Sequence, residues 1–160
     1  MSGYGIIAQL TEPFTSAQLR EGNAPGIGDC FTDSAGKRYR FVQYNSGAGA
    51  VAAVAGNAVG YYAPSGASAG AVNVVTSDVS DTAGVLAGLL MSAPATGEYC
   101  WVQVGGDAIV TTTLVSGADG NALTLSSTTD GTLKVVGAVT DAGGARCIDV
   151  TTKQVLLAAY

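Results

Sequence analysis

The chain contains no histidine at all, and this absence removes more chemistry than any residue present supplies. Imidazole is the usual general base, the usual activator of a serine or cysteine nucleophile and the usual nitrogen ligand of zinc. Charge is scarce as well: 12% of residues are charged, against about 25% in an average soluble domain. A surface must therefore be built largely from Ser, Thr, Gly, Ala and Asn. Between residues 41 and 133 there are six acids and not one Lys or Arg. Phosphate binding needs clustered basic residues, so nucleic acid is excluded as an expected partner. The one basic run, Lys37-Arg38-Tyr39-Arg40, reads as a strand that sends Lys37 and Tyr39 to one face and Arg38 and Arg40 to the other.

Long apolar runs are missing too. Residues 41–77 are uncharged, but Gln43, Asn45, Ser46, Asn57, Pro64, Ser65, Ser68 and Asn73 interrupt them and alanine dominates their apolar positions. No membrane association is expected from such a stretch. The opening MSGYGIIAQLTEPF has neither a positive flank nor a continuous apolar core, and the chain is expected to be made in a reducing cytoplasm. Cys30, Cys100 and Cys147 are odd in number, far apart and without C-x-x-C spacing. Buried reduced thiols are expected, with no metal and no cofactor.

What is present is glycine, recurring every several residues between runs rich in Val, Thr, Ile and Tyr. That is the pattern of short strands and tight turns. GDCFTD and KRYRFVQYN flank Ser34-Ala35-Gly36, a hairpin with glycine available for a positive φ. Further strands are predicted at VGYY (59–62), AVNVVT (71–76), GVLAGLLM (84–91), EYCWVQV (98–104), DAIVTTTLV (107–115), ALTLSS (122–127), GTLKVVGAV (131–139), ARCIDV and QVLLAAY. The fold class predicted is mostly β, an antiparallel sandwich or barrel of short strands. One helical turn is expected over Thr15–Arg20. AGAVAAVAG is read as loop and strand, since Gly49 and Gly56 weaken a helix there.

Residues 1–25 differ in kind: Tyr4, Ile6, Ile7, Leu10 and Phe14 are large apolar residues in a stretch broken by Gly, Pro and Asn. This is read as an extended N-terminal arm on a β-rich domain of residues 26–160. Such an arm needs a surface to cover it, its own domain or a neighbouring subunit.

The motifs that could carry catalysis fail on context. Gly66-Ala67-Ser68-Ala69-Gly70 matches a nucleophile elbow, but Ser68 has no imidazole to activate it. Gly47-Ala48-Gly49-Ala50-Val51-Ala52 resembles a dinucleotide turn without the βαβ unit that would confirm it. Asp78, Asp81, Asp107, Asp119, Asp130 and Asp141 sit beside Ser, Thr or Gly, as turn residues do. The chain is not expected to be an enzyme.

The only tryptophan lies in EYCWVQV. There Tyr99, Trp101 and Gln103 share one face, while Cys100, Val102 and Val104 make a small apolar inner layer. The first face suits either the rim of a core or a half-wet interface.

The stretch from GVLAGLLM through TGEYCWVQVGGDAIV to GADGNALTLSSTTDGTLKVV resembles a pattern of small head proteins of tailed bacteriophages. In it an AG-v-x-G strand precedes an aromatic-Trp-x-Gln strand ending in glycine and a G-x-x-L turn and strand. YRFVQYNSGAGAVAAVAGNAVGYY resembles the segment that accompanies it, and together they span roughly residues 38–136. Cys100 stands where such proteins often have glycine. The resemblance implies a capsid decoration, or cement, protein: a β-rich structural virion subunit on the outside of the major capsid protein shell, often a homotrimer at a symmetry axis. It further implies that Tyr4, Ile6, Ile7, Leu10 and Phe14 lie against capsid or neighbouring subunits, and that Lys37, Arg38 and Arg40 pair with acids there. Tyr99 and Trp101 would join that interface. The alternative is a tail-associated or fibre-associated receptor- or carbohydrate-binding β module, whose available aromatics would be Tyr61, Tyr62, Tyr99 and Trp101.

Overall fold

In the computed structural model of the chain, the described residues are 9–63, 73–138, 141 and 143–159. Tyr4, Ile6, Ile7 and Ser68 lie outside them. The described chain is mostly β, a closed five-stranded barrel with further strands on its outside.

Among the described residues, ten strands follow one short α-helix. Helix α1 (Ser16–Arg20) is the expected single turn, started by a capping box in which Thr15 Oγ1 accepts from Gln18 N and Gln18 Oε1 accepts from Thr15 N at 2.8 Å. The strands are β1 (Cys30–Thr32), β2 (Arg38–Tyr44), β3 (Ala58–Tyr62), β4 (Val74–Thr76), β5 (Thr82–Leu90), β6 (Tyr99–Ile109), β7 (Ala122–Leu125), β8 (Leu133–Val135), β9 (Ala145–Asp149) and β10 (Gln154–Ala158). Their order is β1-β2-β4-β3-β5-β6-β10-β9-β7-β8, and an additional pairing of β2 with β6 closes β2, β4, β3, β5 and β6 into the barrel. All pairs are antiparallel except β2 with β4.

The hairpin at Ser34–Gly36 forms as expected. Gly36 takes φ +79°, and the Asp33 carboxylate accepts from Ala35 N and Lys37 N, each at 2.9 Å. The segment from Gly47 to Asn57 holds neither helix nor strand.

DAIVTTTLV is not a separate strand. β6 runs through Gly105-Gly106 without a break and ends at Ile109, opposite the start of β10 at Gln154; beyond it Val115 makes only an isolated bridge to Lys134. Val110 and Leu114 are nonetheless buried, as their apolar character demands. Continuity of β6 joins the two parts of the molecule. Its first half closes the barrel on β2, and its second half carries β10, β9, β7 and β8.

One main core fills the barrel and continues under the added strands, from Val42, Val59, Val75, Leu86 and Val102 to Leu123, Leu133, Cys147 and Val155. Two close approaches need glycine. A Cβ on Gly60 would sit 2.5 Å from Leu125 Cδ2, where the added strands press on the barrel. Gly88, at φ +146°, lies so close to β6 that a Cβ would meet the Gln103 carbonyl oxygen at 2.4 Å. Cys100 and Cys147 are buried as expected, whereas Cys30 is exposed, since β1 is a short edge strand whose side chain at that position points to solvent.

Candidate interaction surface

Alternation along β2 and β6 divides their side chains between two cores. Val42, Tyr44, Cys100, Val102 and Val104 point into the main one. Tyr39, Phe41 and Trp101 point outward, where a second core forms on the outside of the barrel with Phe14. The N-terminal segment covers them. Phe14 pairs with the start of β6, its N donating to Tyr99 O at 2.7 Å and its O accepting from Tyr99 N at 2.8 Å. Leu10, Leu19, Ala24, Phe31 and Met91 pack around the rim.

The second core is aromatic at its centre. Phe41 meets Phe14 and Trp101 edge-on, each with ring centroids 5.3 Å apart, and stacks on Tyr99 at 6.1 Å. Phe31 closes the other side of Trp101 at 6.4 Å. Such pairs contribute about 0.5–1.5 kcal/mol each beyond the area they bury. The indole N–H of Trp101 is buried without a hydrogen-bond partner, so its placement rests on ring packing alone.

The residues after Trp101 are set by the same seam. Gln103 is buried, and its side-chain amide donates to the carbonyls of Gly105 at 3.2 Å and Asp107 at 2.9 Å, lacing its own strand across an irregularity in the ladder with β2. Gly105 makes room for Arg38, since a Cβ there would lie 2.5 Å from the guanidinium Nε; Gly106 takes φ +90° against Lys37. W-x-Q-x-G-G is therefore a structural motif in this chain.

These positions correct part of the expected interface. Phe14 and Trp101 are 2% and 1% exposed, covered by their own chain, because two large apolar surfaces from the segment and the barrel satisfy each other. Their rings face their own chain. Leu10 and Tyr99 are half-buried at the rim, where Tyr99 OH accepts from Gln43 Nε2 at 3.3 Å. Arg40 lies on the opposite face of β2, its Nη1 donating to Tyr61 OH at 3.0 Å and its guanidinium 5.9 Å from that ring's centre. Lys37 is half-buried and Arg38 exposed.

Most acids serve turns. Asp78 accepts from Gly49 N at 2.7 Å, Ser80 N at 3.0 Å and Ser80 Oγ at 2.6 Å, and Asp81 accepts from Ala48 N at 2.6 Å. Ser80 and the backbone donors outweigh burial and hold the Asp78 carboxyl below its ordinary range. The glycine-rich loop that resembled a dinucleotide turn thus binds the chain's own carboxylates, which occupy the N–H groups a phosphate would need. Asp119, Asp130 and Asp141 likewise accept from backbone N–H groups. Asp107 does not: it stands on the outer face of β6 and accepts from Gln154 Nε2 at 2.7 Å.

Burial raises the Tyr39 phenol to about 12, helped by its bond to Asp33, and burial takes the Cys100 thiol to about 12 as well. Both stay protonated and inert near neutrality. Among the described residues no group of His, Cys, Asp or Glu could hold a metal ion, and no helix is long and apolar enough to cross a membrane. No known family, curated protein or solved structure matches the chain.

Proposed function

We propose that this chain is a structural virion protein, a decoration subunit that binds the outside of a bacteriophage capsid and stabilises the shell. The observation that carries the reading is the resemblance of residues 38–136, the segments that build β2 to β8, to small phage head proteins. Several residues of that pattern pack at the seam of the barrel: Gly88 against β6, Trp101 in the outer core, Gln103 and Gly105 across the irregularity. A barrel locked at its seam, with a terminal segment folded over it, suits a subunit whose work is mechanical.

The major capsid protein is the proposed partner, and the exposed Arg38 and the half-buried Leu10 and Tyr99 are the surface residues proposed to meet it. Burial of Trp101, and the engagement of Tyr61 by Arg40, weigh against the carbohydrate-binding alternative, because a sugar stacks on an open aromatic face. The test is co-purification. Intact heads from a lysate of the source particles, banded on a density gradient, should carry the chain in fixed, high ratio to the major shell protein by quantitative mass spectrometry. Recovery only in the soluble fraction, or at a few copies on detached tails, would overturn the proposal.

A further inference from the structure

Where β6 leaves the barrel, the outer face of the β6–β10–β9 sheet is bare. Ile109, Leu156 and Ile148, one from each strand, are 62%, 48% and 46% exposed. The register sets them in two rows. One row runs Asp107, Leu156, Arg146, with Leu156 paired to both neighbours; the next runs Ile109, Gln154, Ile148, the last sitting at an irregularity where Gln154 pairs with Asp149.

We propose that this face pairs with the same face of a second copy about a two-fold axis lying along β10. The argument is charge complementarity imposed by the rows. Rotation about an axis parallel to β10 carries β6 of one copy over β9 of the other and leaves β10 over β10. Asp107 of each copy then faces Arg146 of its partner copy, Leu156 meets Leu156, and Ile109 meets Ile148. An acid and a base at opposite ends of one row, with an apolar centre, are what an isologous contact requires. Packed sheets lie about 10 Å apart, a gap that an extended arginine and an aspartate bridge together. Within one copy Asp107 accepts from Gln154 Nε2 at 2.7 Å and Arg146 Nε donates to the Gly120 carbonyl at 3.2 Å.

Three exposed apolar side chains make a small face, less than the roughly 800 Å² per partner of a standard interface. Pairing is therefore concentration-dependent. It stands independently of the capsid reading, and being two-fold it differs from the three-fold association that the resemblance implies, which needs a separate heterologous contact.

Sedimentation equilibrium of the full chain, over a series reaching on the order of 1 mM, reads the mass directly. A monomer–dimer equilibrium is expected. Asp107→Arg alone and Arg146→Asp alone each place like charges in both contacts and should weaken dimerisation at least about 10-fold. An equimolar mixture of the two variants should restore it as a heterodimer, because each contact again joins opposite charges. Leu156→Lys, at an exposed side chain on the axis, should abolish pairing while leaving circular dichroism unchanged. A chain that stays monomeric throughout, a trimer insensitive to these changes, or a mixture that fails to recover would overturn the proposal. Co-purification with heads is unaffected by these outcomes, so the two readings fail separately.

Discussion

Truncating Phe14 to alanine tests whether the N-terminal segment belongs to the folded domain. Its ring is 2% exposed and meets Phe41 at 5.3 Å between centroids. Loss of a buried phenylalanine costs about 3–5 kcal/mol, the spread reflecting how far the site collapses. With a urea slope of about 2 kcal/mol/M, the midpoint should fall by about 1.5–2.5 M. There is a ceiling on this loss. Once it exceeds the free energy that keeps the segment docked, the segment lifts off and the barrel stays folded. Fluorescence separates the two cases, because Trp101 is the only tryptophan and sits under the segment. Undocking shifts its emission to the red before any denaturant is added; a docked but weakened core keeps native emission and loses midpoint. Phe14→Leu, which keeps most of the volume, should cost less than about 1.5 kcal/mol. Native emission together with a midpoint unchanged within about 0.3 M would refute the second core as a stabilising unit. Cutting the chain through residue 14 removes part of this core, so a truncation that probes shell binding alone must keep Phe14.

Two other predictions concern titration and reactivity. Asp78 is held ionised by Ser80 and by Gly49 N–H, so the native state gives up its proton more readily than the unfolded chain. The unfolded state then binds more protons near pH 4, and stability is present above that pH and lost as pH falls through the lowered native value. Asp78→Asn should cost about 2 kcal/mol at neutral pH and flatten the acid limb, so that the two proteins converge at low pH in urea titrations; parallel curves would contradict the assignment. A thiol reagent should label Cys30 at once in the native protein, and Cys100 and Cys147 only on unfolding, as counted by mass spectrometry. Rapid labelling of more than one thiol would show that the main core opens.

The legible part of this molecule was local. Alternation in EYCWVQV separates Trp101 from Val102 whatever the topology, because strand side chains change face at every residue. Gly36 in its hairpin, Thr15 before its helical turn, Asp78 with Ser80 and Asp141 with Gly137 are short-range chemistry of the same kind. What failed to show were features that depend on a distant partner. Gly105-Gly106 reads as the end of a strand, yet the strand continues because β10 supplies a ladder on the far side. Asp107 reads as a turn residue for the same reason, and Cys30 as a buried thiol because its edge position depends on where β1 lies in the sheet order.

Composition and local pattern thus specify a β-rich chain of short strands, its hairpin and its two-faced tryptophan strand, and supply no imidazole. Contacts between distant segments close β2 and β6 into a barrel, cover the outward face with Phe14 of the same chain and leave Ile109, Leu156 and Ile148 uncovered on one sheet. Side-chain alternation is a property of the backbone and survives any topology, whereas what lies over a face depends on contacts between residues far apart in the chain, which no local pattern encodes.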